Sequence, residues 1–452
     1  MLTKIVVDNF KSFDKQTELT MISSTKIRAK ADHRVSVGSN TKLLKHAVIY
    51  GANASGKSNL VDFFQFFMTT LEDGLPAWGT KFFCRNHASN ETRDSIFEIQ
   101  MEIDGKFYAY GFSARLAERW MTGEWLYELY QNGSARRIFE REGNSVPELD
   151  DSIRLSREDR IRFDTYAADF EDNIVDLFLT NMNRGKKYAV DSGLQVFRKI
   201  YDWLSNHIVI ITPNSRMTDF KYYYENDSLA VINDLITTFD TGVSNVRIEE
   251  IEMNDLSKIL PKPILEDVLE RVKSKISENS TGLFRMSGRT ETNFFNIEIK
   301  GNEEPTITTI KLKHGKSIFD FDFEDESDGT RRLFDLMDML LIKDDDIVFV
   351  VDELERSLHP KLTEHFLELF GARHKKNKIQ LVFTTHESSI MDQKLFRRDE
   401  IWFIERDEEN NSKIYSLDRF KERYDKKLSK AYLEGRYGAI PVFNRFDFGK
   451  GV

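Results

Sequence analysis

Eight consecutive residues, Gly51-Ala52-Asn53-Ala54-Ser55-Gly56-Lys57-Ser58, carry the spacing G-x-x-x-x-G-K-S. That spacing suits the cradling of a phosphate by backbone N–H groups. Glycine lets the chain approach an anion closely and adopt positive φ. A helix starting at Lys57 would aim its positive N-terminal end at the same anion. Lys57 would then reach β- and γ-phosphates, and Ser58 would hold Mg2+. The expected cofactors are therefore ATP and Mg2+. The expected binding set is Gly51, Asn53, Ser55, Gly56, Lys57, Ser58 and Asn59.

Residues 347–351 are an unbroken apolar run that ends in Asp352-Glu353. At the end of a buried strand, Asp352 would complete the Mg2+ shell and Glu353 would polarise an attacking water. A solvated acidic turn is the bland alternative, and the upstream loop weighs against it. The apolar run 379–384 leads into Thr385-His386-Glu387. His386 would sit at the end of a neighbouring strand, within reach of a γ-phosphate; a surface histidine is the other reading. Glu353, Lys57 and His386 are thus the catalytic candidates. Ser327-Asp328-Gly329-Thr330 precedes an apolar-faced helix. It fits an anion-binding turn, and it fits an ordinary N-cap. Gln100, in the alternating run 96–103, joins Ser58 and Asp352 as a metal candidate; a solvent-facing strand glutamine is its alternative. No His/Cys/carboxylate spacing reads as a zinc site. There is one cysteine and no His-Glu-x-x-His helix.

These groups need elements to hold them. Residues 47–50 (Ala-Val-Ile-Tyr) read as a buried strand before the loop, and a helix pattern runs from Lys57 to about Leu71. Asp104-Gly105 is a hairpin turn between strands at 96–103 and 106–112, with further strands at 125–130 and 137–140. The pattern turns helical over 152–239, and a helix is expected over 260–277. It returns to alternation over 294–310. Helix faces recur at 333–341 and 362–370. The fold class is α/β. Expected boundaries are 1–115, an inserted, largely helical lobe at 116–315, and 316–452.

The motif order is phosphate loop, long insertion, Ser-x-Gly turn, strand-Asp-Glu, Ser357-Leu358-His359-Pro360, then strand-Thr-His. It resembles the ABC-type ATPase head of the SMC, RecF and RecN group. The Phe10-Lys11-Ser12-Phe13 segment resembles that group's opening strand motif, which puts Lys11 near the nucleotide base. The resemblance implies a homodimer that sandwiches ATP. Ser327 and Gly329 of one chain would contact the γ-phosphate held by the other, and His386 would be a switch histidine. The signature departs from the transporter form, with Ser-Asp-Gly-Thr in place of Ser-Gly-Gly-Gln, which speaks against a transporter. The whole chain also resembles bacterial AAA/ABC-type ATPases of the RloA and AbiLi kind. Residues 50–59, 97–111, 327–333 and 352–360 carry this likeness, together with the terminal Tyr432-Leu433-Glu434-Gly435-Arg436-Tyr437-Gly438-Ala439-Ile440-Pro441. It implies anti-phage defence, an abortive-infection type of role, and an effector encoded nearby, such as a TOPRIM-like nuclease or other toxin. OLD-family nucleases carry a TOPRIM domain after such a head. The stretch after His386 is too short for one, so the expected role is sensor or regulator.

Composition sets the outer limits. Of 452 residues, 40% are hydrophobic and 31% charged, which suits a packed core and excludes wholesale disorder. The formal charge of −10 argues against a chain that coats nucleic acid. Basic clusters at Arg184-Lys186-Lys187, 373–378 and 421–430 leave local DNA contact open, as does Tyr222-Tyr223-Tyr224 beside Lys221. Solvated helix faces account for the basic runs equally well. A RecF/SMC-like ATPase in DNA repair or maintenance is the alternative function. One cysteine, Cys84, fits a reducing cytosol. Residues 1–10 include Lys4 and Asp8 and do not read as a signal peptide. No apolar run is long enough for a membrane span, so the expected location is cytoplasmic. Assemblies larger than a dimer stay open, because the insertion adds surface.

Overall fold

The computed structural model describes residues 1–38, 40–150, 152–213, 226–260, 283–289, 294–300, 303–420 and 427–441, with positions 262, 265, 266, 268 and 270. The Tyr222-Tyr223-Tyr224 run with Lys221, most of the helix expected at 260–277, and residues 421–426 of the basic tail lie outside the described residues.

In chain order the elements begin with β1 (Leu2–Asp8), β2 (Thr17–Thr20), β3 (Arg34–Val37), β4 (Thr41–Leu44), β5 (His46–Tyr50) and α1 (Lys57–Asp73). Next come β6 (Ser95–Ile103), β7 (Lys106–Arg115), β8 (Trp120–Leu129), β9 (Ala135–Glu142) and β10 (Glu148–Leu149). They are followed by α2 (Arg157–Ala168), α3 (Phe178–Asn183), α4 (Gln195–His207) and β11 (Ile208–Ile211). The chain continues through α5 (Asn226–Thr237), β12 (Val243–Ile251), α6 (Met253–Ile259), β13 (Leu283–Arg289), β14 (Phe294–Lys300), β15 (Thr306–His314), β16 (Phe321–Asp322) and α7 (Asp328–Leu341). It closes with β17 (Val348–Val351), α8 (Pro360–Arg373), β18 (Gln380–Thr385), β19 (Ile401–Arg406), β20 (Ser412–Ser416) and α9 (Leu428–Leu433).

The chain folds into two compact units. The first comprises Met1–Thr212, Asp344–Leu354 and His374–Val452. Its six-stranded sheet runs β11-β17-β18-β5-β19-β20, parallel throughout except where β20 pairs β19. Every residue of β5, β17 and β18 is buried, as apolar runs require when helices or sheets cover both faces. Register does the positioning. Val351 is level with Phe383, and Thr385 with Tyr50. The residues that follow β17, β18 and β5 therefore emerge at one carboxyl edge, where open α/β sheets build their sites. A second sheet, β10-β9-β8-β7-β6-β1-β2, is antiparallel. Helix α1 belongs to one hydrophobic core with both sheets. Phe63 and Phe66 of α1 stack on Phe97 of β6, and Phe97 stacks on Phe112 of β7 with ring centres 5.0 Å apart. The result is an α/β architecture in which β5 runs through the G-x-x-x-x-G-K-S loop into α1.

The second unit comprises Pro213–Lys343 and Glu355–Arg373. Its sheet runs β12-β15-β14-β13, with β16 paired to β15. Ile232 and Ile236 of α5 and Phe334, Met337 and Leu341 of α7 pack with Phe294 and Ile310. Phe295, Ile297 and Ile299 turn the other way, toward Leu256. Strand alternation thus gives this sheet two covered faces.

Packing divides the chain differently from the boundaries expected at 115 and 315. Strands β8 and β9 extend the antiparallel sheet of the first unit, and α2, α3 and α4 pack into its core, so 116–212 belongs there. Helix α7 packs with β12, β14 and β15, so 316–343 belongs with the second unit. Among the described residues, no helix is long and apolar enough to cross a membrane.

Candidate functional site at the carboxyl edge of the parallel sheet

The loop after β5 turns through two left-handed positions, Ala54 at φ 62° and Gly56 at φ 107°. Strain of this kind, outside glycine, concentrates at functional sites. A side chain on Gly51 would bring Cβ within 2.5 Å of the Ile404 carbonyl and of Ser55 Oγ. One on Gly56 would come within 2.2 Å of Ser412 Oγ. Neither glycine tolerates a larger residue. Gly56 is also the N-cap of the 17-residue α1, and having no side chain it offers no cap to the helix's first N–H groups.

Lys57 is buried, and its Nζ donates to the carbonyls of Gly51 at 2.8 Å and Ala52 at 3.1 Å. It also lies 3.4 Å from His386 Nδ1. Among the described residues, Ser55 Oγ is buried without a hydrogen-bond partner. Asn53 and Ser58 are exposed. A buried ammonium, a long helix N-terminus and an unbonded buried hydroxyl share one turn. That set fits a polyphosphate.

The acid pair is held by a residue the sequence did not single out. Thr384, fully buried in β18, donates from Oγ1 to Asp352 Oδ1 at 2.5 Å. The same oxygen accepts the Glu353 N–H at 2.8 Å. Its carbonyl accepts the Leu354 N–H at 3.2 Å. Thr384 therefore grips three successive residues. Glu353 takes φ 49°, which turns the chain away from the strand. Asp352 is buried and Glu353 is partly exposed, which suits a metal ligand and a water-facing base respectively.

Ser12, Asn59 and Ser412 brace the loop from behind. Asn59 Nδ2 donates to Ser12 Oγ at 2.6 Å, and Ser412 Oγ lies 2.6 Å from both Ser12 Oγ and the Ser55 carbonyl. Lys11, at φ 52°, pairs with Asp62 of α1 and lies over the Phe82 ring at 4.4 Å. Lys11, Ser12 and Asn59 line a cleft of about 940 Å³ together with Trp78, Phe82 and Arg85. Trp78 is half exposed there. Trp78, Arg85, Thr384 and Ser412 have no motif spacing that marks them. The elements gather them only in three dimensions.

Gln100 is not brought to the loop. On β6 the odd residues Phe97 and Ile99 face the core, so Gln100 faces away from α1, and its amide donates to Glu98 Oε1 at 2.8 Å. The basic cluster near residue 186 is engaged locally. Lys186 Nζ donates to the Asn181 side chain at 2.8 Å and lies 3.8 Å from the centre of the Tyr166 ring, and Arg184 donates to the Glu72 carbonyl.

In the second unit, Ser327 is the N-cap of α7: its Oγ accepts the Thr330 N–H at 3.1 Å. Gly329 lies against the loop that follows the acid pair, where a Cβ would come within 2.7 Å of the Ser357 carbonyl. Ser357 itself takes φ 62°. Ser327 is exposed, so its hydroxyl caps the helix while facing solvent.

A search of the curated proteins finds no match. Three solved structures are similar at low identity. The SmcHead bound to the C-winged helix domain of ScpA is 14% identical, covers 92% of this chain and 97% of its own, and gives a TM-score of 0.40. The SMC head domain from Thermotoga maritima is 14% identical over 92% of this chain and 98% of its own, with a TM-score of 0.34. The Smc head domain with an extended coiled coil bound to the C-terminal domain of ScpA, from Pyrococcus furiosus, is 13% identical over 96% and 99%, with a TM-score of 0.39. A family model matches residues 47–392, a span that contains the phosphate loop, Asp352, Glu353, Thr384 and His386. The chain therefore belongs to the family described as "AAA domain, putative AbiEii toxin, Type IV TA system".

Proposed function

We propose that this P-loop ATPase binds ATP with Mg2+ at the phosphate loop, hydrolyses it between two copies of the chain, and so controls a partner effector in bacterial anti-phage defence. The supporting observation is the convergence of Lys57, His386, Asp352 and Glu353 at one sheet edge, with Thr384 bonded to both acids. Lys57 Nζ would exchange its loop carbonyls for phosphate oxygens. Ser58 and Asp352 would hold Mg2+, which neutralises charge on the phosphates when bound. The Glu353 carboxylate would orient a water and accept its proton. His386, already beside Lys57, would sense the terminal phosphate. Lys11 and Trp78 would meet the base in the cleft they line. Ser327 and Gly329 of a second copy would close the site.

The family description names a putative toxin and a Type IV TA system, which links domains of this kind to toxin–antitoxin systems. In our reading the partner is a nuclease or toxin encoded beside this chain. The test is purification with the adjacent gene product, followed by mass measurement with and without ATP. A second protein whose stoichiometry or release changes with ATP is the expected result. A lone chain that dimerises with ATP and then holds DNA, with binding that falls steeply with salt, would replace this reading with DNA maintenance.

A further inference from the structure

We propose that His33, His46 and Glu400 form a binding site for a divalent transition-metal ion, with zinc the best match. Glu400 is remote in sequence from the two histidines, and the first unit brings the three together. His33 ends the short 3-10 turn before β3, His46 opens β5, and Glu400 ends the turn before β19. Strands β5 and β19 are parallel neighbours, so His46 and Glu400 meet at their amino ends.

The geometry is that of a converging ligand set. His33 Nδ1 lies 2.9 and 3.1 Å from the two Glu400 oxygens, and His46 Nδ1 lies 3.2 Å from Oε1. One ligand atom from each residue falls within 4.8 Å of the other two. With metal–ligand bonds of about 2.0–2.1 Å, the edges of a tetrahedron are about 3.3 Å long, so small shifts would seat an ion among these atoms. Two imidazoles and one carboxylate make a known open zinc set, with water at the remaining position. The Glu400 side chain is fully buried and His46 nearly so, while 14% of the His33 side chain is exposed. The His33 side is therefore the route by which an ion and a water would enter.

The contacts around Glu400 orient it. Glu400 Oε2 accepts the Arg397 N–H at 2.7 Å, the kind of second contact that fixes a ligating carboxylate. The Arg397 guanidinium turns to Asp399, at 2.8 and 2.9 Å, and to the Ile27 carbonyl at 3.1 Å. The Lys45 ammonium turns to the carbonyls of His374 and Lys375. Neither cation is directed at Glu400 among these contacts. Without an ion, the same three side chains form a hydrogen-bonded His–Glu–His cluster. With one, the ion would tie the starts of β5 and β19 to the segment before β3. The far end of β5 leads into the phosphate loop, so the tie would stiffen its support.

The test uses the full chain, stripped with a chelator and free of nucleotide, with Co2+ as the spectroscopic probe and Zn2+ as competitor. The expected result is uptake of one Co2+ per chain with visible d–d absorption of a low-coordinate site, displaced by Zn2+. His33→Ala, which changes the most exposed of the three ligands and disturbs the core least, should weaken uptake at least about 100-fold with circular dichroism unchanged. Glu400→Gln should do the same where it folds. Absence of stoichiometric uptake by the parent protein overturns the proposal. So does His33→Ala binding like the parent, or uptake that is lost instead in Asp352→Asn, which would assign the ion to the nucleotide site.

Discussion

One hydroxyl, on Thr384, reaches both acids of the site, so its removal separates positioning from chemistry. Thr384→Val keeps the shape but leaves the Glu353 N–H and Asp352 Oδ1 without this partner. We expect kcat to fall by about 10- to 100-fold while ATP affinity changes little, with Thr384→Ser restoring most of the rate. A variant that lost binding and turnover in parallel would make Thr384 a structural residue only. Lys57→Ala should abolish nucleotide binding, since it removes the ammonium that the turn's carbonyls hold; binding within a few-fold of the parent, read by calorimetry, would remove the loop from the role. Glu353→Gln should bind ATP normally and turn over at least about 100-fold more slowly. Normal turnover there would free Glu353 of the base's part. At this scale the sequence was informative where residues act in runs. Gly51 to Ser58 and Asp352-Glu353 are contiguous, so their chemistry is written locally. Thr384 is one residue in an apolar strand, and nothing in its neighbours announces that Asp352 lies across the ladder.

Elements explain where that legibility stops. Strand β5, the loop and α1 are short-range features, and their apolar run, glycines and helix face are visible without tertiary knowledge. Strands β8 and β9 were readable as strands, but their membership was not, because it depends on the pairing of β8 with β7. The same holds for the His33, His46 and Glu400 cluster: the β5–β19 pairing brings Glu400 to His46, and the β3–β4 hairpin returns His33 to the start of β5. A buried ion pair shows how the antiparallel sheet holds the helices that follow it. Glu124 of β8 accepts Tyr110 Oη at 2.9 Å and the first N–H groups of α3, Phe178 at 2.7 Å and Leu179 at 3.0 Å. Arg141 of β9 lies 3.8 Å away, and neither side chain is exposed. Burial pushes the Glu124 carboxyl up, while Arg141 and the three donors pull against that. Glu124→Gln should leave the Arg141 charge uncompensated and cost about 3–5 kcal/mol in urea unfolding. Adding Arg141→Met should return part of that loss, because the stranded charge goes too. A single-variant loss below about 1 kcal/mol would mean the helix N-terminus is held by packing alone.

At the scale of the whole molecule, the open matter is what Ser327 does beyond its own helix. Within one chain its hydroxyl is an N-cap, bonded to the Thr330 N–H. In an ATP sandwich the same exposed hydroxyl would meet the terminal phosphate held by a second copy. Alanine cannot separate the two roles, because it removes the cap as well, at about 0.5–2 kcal/mol. Aspartate can. It caps helices about as well as serine and favours the positive helix end, so the fold should keep its stability. Its carboxylate would repel a phosphate that the serine hydroxyl would bind. In a Glu353→Gln background, where slow turnover should preserve the ATP-bound state, light scattering should give twice the monomer mass with ATP. Adding Ser327→Asp should return the mass to that of one chain while each chain still binds ATP and unfolds at the same denaturant concentration. A dimer that survives Ser327→Asp would confine Ser327 to capping α7 and place the contact between copies elsewhere. A dimer lost together with stability would point to the cap, and Ser327→Asn, which caps without charge, would then decide between the two.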